Sequence, residues 1–198
     1  MLRRTAVLTL LAAAALAAIG CSDPGKPQFK SVDLTGAEYA RDFALTDHNG
    51  QPRSLKDFEG KAVVAFFGYT QCPDVCPTTL AELAEAKKLL GADGDKVQGI
   101  FITVDPERDT PPVLKAYMAN FDPSFLALRA TPQQLEGLAK DFKLYYKKVE
   151  GKSAGSYTMD HGAASYVYDP KGRLRLYTRY GSGAQAMADD LKLLLKGA

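Results

Sequence analysis

A marked surplus of charge of one sign is missing from this chain. Its 25 lysines and arginines face 23 aspartates and glutamates, and Arg3 and Arg4 fall in a segment that reads as an export signal. Taking those two from the 25 leaves 23 basic residues against 23 acidic ones, so composition gives no support to nucleic-acid binding. Collagen-like periodicity, heptads and internal repeats are missing too. The longest apolar run, Thr5 to Ile19, falls short of the about 20 residues that cross a bilayer comfortably. Histidine and cysteine are scarce, at two and three. What remains is an ordinary globular composition, 46% apolar and 24% charged over 198 residues, enough for one domain with its own core.

The first 20 residues have the layout of a signal peptide: a cationic start at Met1 to Arg4, the apolar run, then a small residue before a cysteine at Gly20-Cys21. This ending resembles a bacterial lipoprotein signal, with Ala18 standing where leucine is usual. The resemblance implies acylation of Cys21, which becomes the new N-terminus and a lipid anchor on the extracytoplasmic, periplasmic side. A single acyl chain anchors only marginally, so stable attachment takes more than one. The alternative is plain secretion with a free Cys21. Pro24, Gly25 and Pro27 with few apolar neighbours make residues 21–39 a tether, and the folded domain is expected over 40–198.

Within that domain Ala62 to Tyr69 and Val97 to Val104 are continuous apolar, β-rich runs, as in strands buried on both faces. A helix is expected from Pro77 to about Leu90, another from Pro111 to about Asn120, and a third from Pro132 to about Phe142. Strands are expected over Phe125 to Arg129, Ser165 to Asp169 and Arg173 to Thr178. Leu144 to Val149 and Ser156 to Met159 form an inserted hairpin. Ala184, Met187, Ala188, Leu191, Leu194 and Leu195 mark one face of a final helix. Strands alternating with helices, then closing strands and a helix, give an α/β sandwich, a mixed central sheet flanked by helices. That order fits a thioredoxin-like fold.

If Cys21 is acylated, only Cys72 and Cys76 remain as thiols in the folded part. They sit in Gly68-Tyr-Thr-Gln-Cys72-Pro-Asp-Val-Cys76-Pro77, between a buried strand and a helix start, where unpaired N–H groups and the helix dipole stabilise a thiolate. Three residues separate them, not the two of thioredoxin-type pairs. Two helical positions so spaced have Cβ atoms roughly 5–6 Å apart, whereas a disulfide needs about 3.5–4.5 Å. Cys72 must therefore curl in from the loop before the bond forms. An inert disulfide, a metal site and a redox-active pair alternating between states all remain open. Two thiolates need a further ligand, and Asp160-His161 precedes a strand whose loop can return to the cysteine edge. Two sulfurs and an imidazole suit Cu(I), or Cu(II) with another ligand. Asp160 is placed to orient His161 from behind. Structural zinc prefers four protein ligands, and no fourth is evident. His48, beside Asn49-Gly50, reads as a solvated turn residue. Asp105 to Pro111 reads as a strand end, turn and helix cap, with a docking rim as the alternative.

The cysteine loop, Val104-Asp-Pro-Glu-Arg-Asp-Thr-Pro111 and the Asp160-His161 loop together resemble the Sco/SenC family of copper-binding assembly factors, over about residues 40–195. The resemblance implies that Cys72, Cys76 and His161 hold copper for the binuclear copper A site of cytochrome c oxidase subunit II. A copper donor and a thiol reductant are then required as partners. Gly162 departs from the Ser or Thr expected there. The competing reading is an extracytoplasmic thiol–disulfide oxidoreductase using Cys72 and Cys76, for which His161 is dispensable. A peroxidase is disfavoured: Thr70 lies two residues before Cys72 instead of three, and no separate resolving cysteine is evident.

Overall fold

A computed structural model describes residues 27–198; Cys21 and the export segment 1–20 lie outside them. The strands are β1 (Val32–Asp33), β2 (Leu45–Asp47), β3 (Pro52–Arg53), β4 (Ala62–Gly68), β5 (Val97–Thr103), β6 (Leu126–Arg129), β7 (Tyr146–Glu150), β8 (Tyr157–His161), β9 (Ser165–Tyr168) and β10 (Leu174–Thr178). The helices are α1 (Val75–Leu89), α2 (Pro111–Met118), α3 (Pro132–Asp141) and α4 (Ala184–Leu195).

The two apolar runs form the middle of the molecule. All seven residues of β4 and of β5 are buried, and the strands pair in parallel from Ala62↔Val97 to Gly68↔Thr103. Parallel strands need covering on both faces, and this chain supplies it. Val63, Ala65 and Phe67 face one layer with Ile100, Ile102, Tyr166 and Tyr168, beneath Phe43, Phe58, Leu135 and Phe142. Val64, Phe66 and Phe101 face the other, against Leu80 and Leu83 of α1, Leu114 of α2 and Leu191 of α4. Each such fully buried side chain contributes about 1.5–3 kcal/mol. The sheet runs β1-β10-β9-β4-β5-β6-β2-β3, with β6 parallel to β5 and the others antiparallel to their neighbours. This is the expected thioredoxin-like sandwich. Its two edge strands are each two residues long.

Three expectations need correcting. Residues 30–35, assigned to the tether, are bound to the domain. The Lys30 and Ser31 amides donate to the Asp190 carboxylate of α4 at 2.7 and 2.8 Å, and Val32 and Asp33 pair with Tyr177 and Leu176. A polar segment gives no strand signal when its partners are a distant carboxylate and an edge. Helix α1 starts at Val75, so Pro77 occupies its third position. Proline is tolerated there because first-turn N–H groups lack intrahelical partners. Finally, the hairpin is present, but β8 reaches His161, which pairs with Tyr146. The hairpin forms a two-stranded sheet of its own. Among the described residues no helix is long and apolar enough to cross a membrane.

Candidate metal centre

The end of β4 delivers the first two ligands. Gly68 is the last β4 residue, and a Cβ there would sit 2.7 Å from Cys76 Sγ and 2.7 Å from Phe101 Cε2. Only a glycine leaves the sulfur its place. The loop then turns, Cys72 N–H donating to the Tyr69 carbonyl at 3.2 Å, and Cys76 lands in the first turn of α1, fully buried. Cys72 is half-buried, and both cysteines are free thiols.

Histidine 161 arrives from the hairpin. Its Nε2 lies 3.5 Å from Cys76 Sγ, and its ring meets Phe66 and Tyr69 edge-on, with centroids 6.1 and 5.9 Å away. Its Nδ1 is 2.9 Å from the Gly162 carbonyl. A carbonyl only accepts, so Nδ1 carries a proton and Nε2 faces the sulfurs, where it donates to the Cys72 thiolate when protonated and offers a lone pair to a metal once that proton leaves. The carbonyl of Gly162 thus does the orienting expected of Asp160. Alternation along β8 leaves Asp160 exposed on the other face, where it adds only a favourable charge.

The thiols are unequal. The Cys76 thiol donates to the Cys72 sulfur, and this bond, outweighing burial and aided by His161 and the Cys76 and Asp74 amides, brings Cys72 down to about 4. Cys76 is pushed upward, because it is that donor and because it is buried. Burial works against a charged His161, yet the bonds to Cys72 and Gly162 leave its pKa raised. These opposed shifts make Cys72 the readier of the two thiols to ionise.

The three donor atoms lie within 4.8 Å of one another. With zinc-like bonds of about 2.3 Å to sulfur and about 2.0 Å to nitrogen, donors around a trigonal ion sit roughly 3.7–4.0 Å apart. Small side-chain rotations close that difference, so the residues fit a soft three-coordinate metal. The other histidine is not part of it: His48 is half-buried, and its Nδ1 accepts from the Ala127 amide at 3.1 Å, so it pins β2 to β6 where solvation was expected.

The sequence reading missed what supports the loop. Asp109, fully buried, accepts from Thr70 N–H at 3.1 Å, from Thr70 Oγ1 at 2.6 Å and from Thr103 Oγ1. Burial raises its pKa and these donors only partly offset that. The signal was there, in a dense charge cluster directly after a buried strand. Asp105 to Pro111 does build the strand end and helix start, as expected.

Two thiols on a strand–helix turn, faced by a histidine from a neighbouring hairpin at the end of a thioredoxin-like sheet, define a dithiol–imidazole metal-binding protein. The chain belongs to the SCO1/SenC family, whose model matches residues 32–196. It is 33% identical over 172 residues to a SCO2-like protein of Rickettsia felis, covering 85% of this chain and 84% of that one. It is 35% identical over 153 residues to the mitochondrial SCO2 homolog of mouse, covering 76% of this chain and 60% of the longer relative. Among solved structures, Bradyrhizobium japonicum ScoI with copper bound superposes with a TM-score of 0.71 at 44% identity, over 77% of this chain and 97% of that one. Yeast Sco1 with copper bound gives 0.71 at 29% identity, over 87% and 91%.

Proposed function

We propose that this protein carries one copper ion on Cys72, Cys76 and His161 and delivers it to the binuclear copper A site of cytochrome c oxidase subunit II. The convergence of two sulfurs and one imidazole nitrogen within 4.8 Å carries the reading. Copper follows from the softness of that donor set and from the copper-bound relatives. Cys72 is already poised as a thiolate, and Cys76 gives up its proton as the ion arrives. The delivery target comes from the family resemblance. The same reading has Cys21 acylated and the domain held at an extracytoplasmic membrane surface on the periplasmic side, supplied by a copper donor and kept reduced by a thiol reductant.

A second reading is favoured by the half-exposed Cys72 thiolate beside a protonated Cys76. A thiolate so placed attacks a target disulfide, and Cys76 resolves the mixed disulfide. The target disulfide is reduced to two sulfurs, one taking the Cys76 proton and the other a proton from water, while Cys72 and Cys76 lose two electrons to form their own bond.

Anaerobic loading of the reduced protein lacking the anchor tests the first reading. One copper retained by the wild type, and lost or much weakened in folded Cys72→Ala, Cys76→Ala and His161→Ala, is the expected result. A wild type that retains none, or a His161→Ala that binds as well, leaves the oxidoreductase reading in its place.

A further inference from the structure

The third ligand stands on an element that the main sheet does not hold. Strands β7 and β8 pair only with each other, and beside them a cleft of about 190 Å³, lined by Val104, Pro106, Leu135, Tyr146, Lys148 and Met159, separates the hairpin from the body. Met159 packs into the core and His161 against Phe66 and Tyr69, while polar bonds across the cleft come from the segment Asp105 to Arg108. Arg108 Nη1 donates to the Tyr157 carbonyl at 2.9 Å and to Gln71 Oε1 at 3.0 Å, while its Nε donates to Asp105. The guanidinium carbon lies 3.6 Å from the centroid of the Tyr157 ring. The Tyr157 hydroxyl donates to Asp105 at 2.9 Å, and Lys148 pairs with Glu107 at 3.1 Å.

We propose that Arg108 is a latch that fastens the His161 hairpin to the cysteine loop and so sets whether the third copper ligand is closed over the thiols. One planar fork touches both ligand-bearing segments, Gln71 next to Cys72 and Tyr157 four residues before His161. Its bonds to a carbonyl, an amide oxygen and a carboxylate need N–H groups spread over the separate nitrogens of a guanidinium, whereas an ammonium carries all three on one. Opening the latch frees the hairpin without disturbing β4 or β5, leaving a copper ion on two sulfurs and ready to pass to another site. The latch is thus a positioning device, and its role in copper handling rests on the three-ligand reading proposed above.

Amide hydrogen exchange of the metal-free protein reads the latch without copper. In Arg108→Met, the amides of β7 and β8 should exchange about tenfold to hundredfold faster, the loss expected when bonds to a charged group are removed, while those of β4 and β5 keep their rates. Arg108→Lys should resemble Arg108→Met. Copper release to a chelator should quicken in Arg108→Met, and adding Arg108→Met to His161→Ala should change nothing further. Hairpin exchange unchanged in Arg108→Met, or accelerated equally throughout the sheet, overturns the latch. So does full rescue by lysine, or a copper effect that adds to that of His161→Ala. A wild type that binds no copper would sink the metal reading alone, since the exchange rates still decide the latch.

Discussion

Asp109 offers the sharpest test of how the cysteine loop is built. Its buried carboxylate collects the Thr70 amide, the Thr70 hydroxyl and the Thr103 hydroxyl, joining the cysteine loop to the end of β5. Asp109→Ala removes three bonds to a charged acceptor. Each contributes about 1.5–3 kcal/mol, but burial of the carboxylate works against them, as its raised pKa shows. The two hydroxyls can turn to other acceptors, whereas the Thr70 amide cannot. A net loss of about 2–3 kcal/mol follows, a fall of roughly 4–12 °C in Tm for a domain of this size. Urea unfolding measures it directly. A second variant, Asp109→Asn, tests the sign of the electrostatics. A carboxyl whose folded pKa lies above its unfolded value contributes most below the unfolded value, and that part is lost as pH rises through the folded one. Asp109→Asn, which does not ionise, should therefore gain on the wild type as pH rises from about 4. A wild type that instead gains on Asp109→Asn over that range, or an Asp109→Ala within about 0.5 kcal/mol of wild type, refutes the reasoning.

Other residues give shorter tests. Gly68→Ala forces a Cβ against Cys76 and Phe101, so it should cost about 1–3 kcal/mol and weaken copper retention. Gly137→Ala in α3, where a Cβ meets nothing within 4 Å, should by contrast stabilise by up to about 1 kcal/mol. Cys72, at about 4, should alkylate at a rate nearly flat from pH 6 to pH 8, where an ordinary thiol of pKa about 8.5 climbs about tenfold per unit. Cys76→Ala should restore that slope, and a full slope in the wild type would count against the thiolate. Asp169 is 2% exposed and binds Arg173 at 2.6 Å and Arg175 at 3.3 Å. Burial opposes its charge, but Arg173 and two backbone amides prevail and its pKa is lowered. Asp169→Ala leaves the buried Arg175 with Thr35 and the Ala198 oxygen alone and should cost about 1.5–3 kcal/mol at pH 7. Because the folded pKa lies below the unfolded one, that gap should shrink as pH falls below about 4; a gap unchanged at pH 3 would contradict the assignment.

The elements that sequence revealed are those whose signal is local. The runs at Ala62 and Val97 declare two-sided burial through their own composition, and the 3.6-residue spacing of Ala184 to Leu195 declares a one-sided helix. The grouping of Cys72, Cys76 and His161 was expected for a different reason, from the scarcity of such residues and the family resemblance, and the structure brings the three together. What sequence hid was made by partners far along the chain. Val32 and Asp33 become a strand because α4 and β10 receive them, and His48 is held by an amide 79 residues away. Asp160 illustrates the same limit in the site. It neighbours His161 in sequence, but alternation along β8 sends the two side chains to opposite faces, and the adjacent Gly162 carbonyl takes the orienting role.

The terminal strands of the eight-stranded sheet set how it meets other protein. An exposed strand edge is a template on which another chain can add. Here one margin is only Val32–Asp33 and the other only Pro52–Arg53, too short to offer a repeating ladder. Proline at Pro52 supplies no N–H, and Asp33 and Arg53 carry charge. The domain's long, apolar central strands are thereby screened from edge-to-edge growth, a safeguard against aggregation built from four residues.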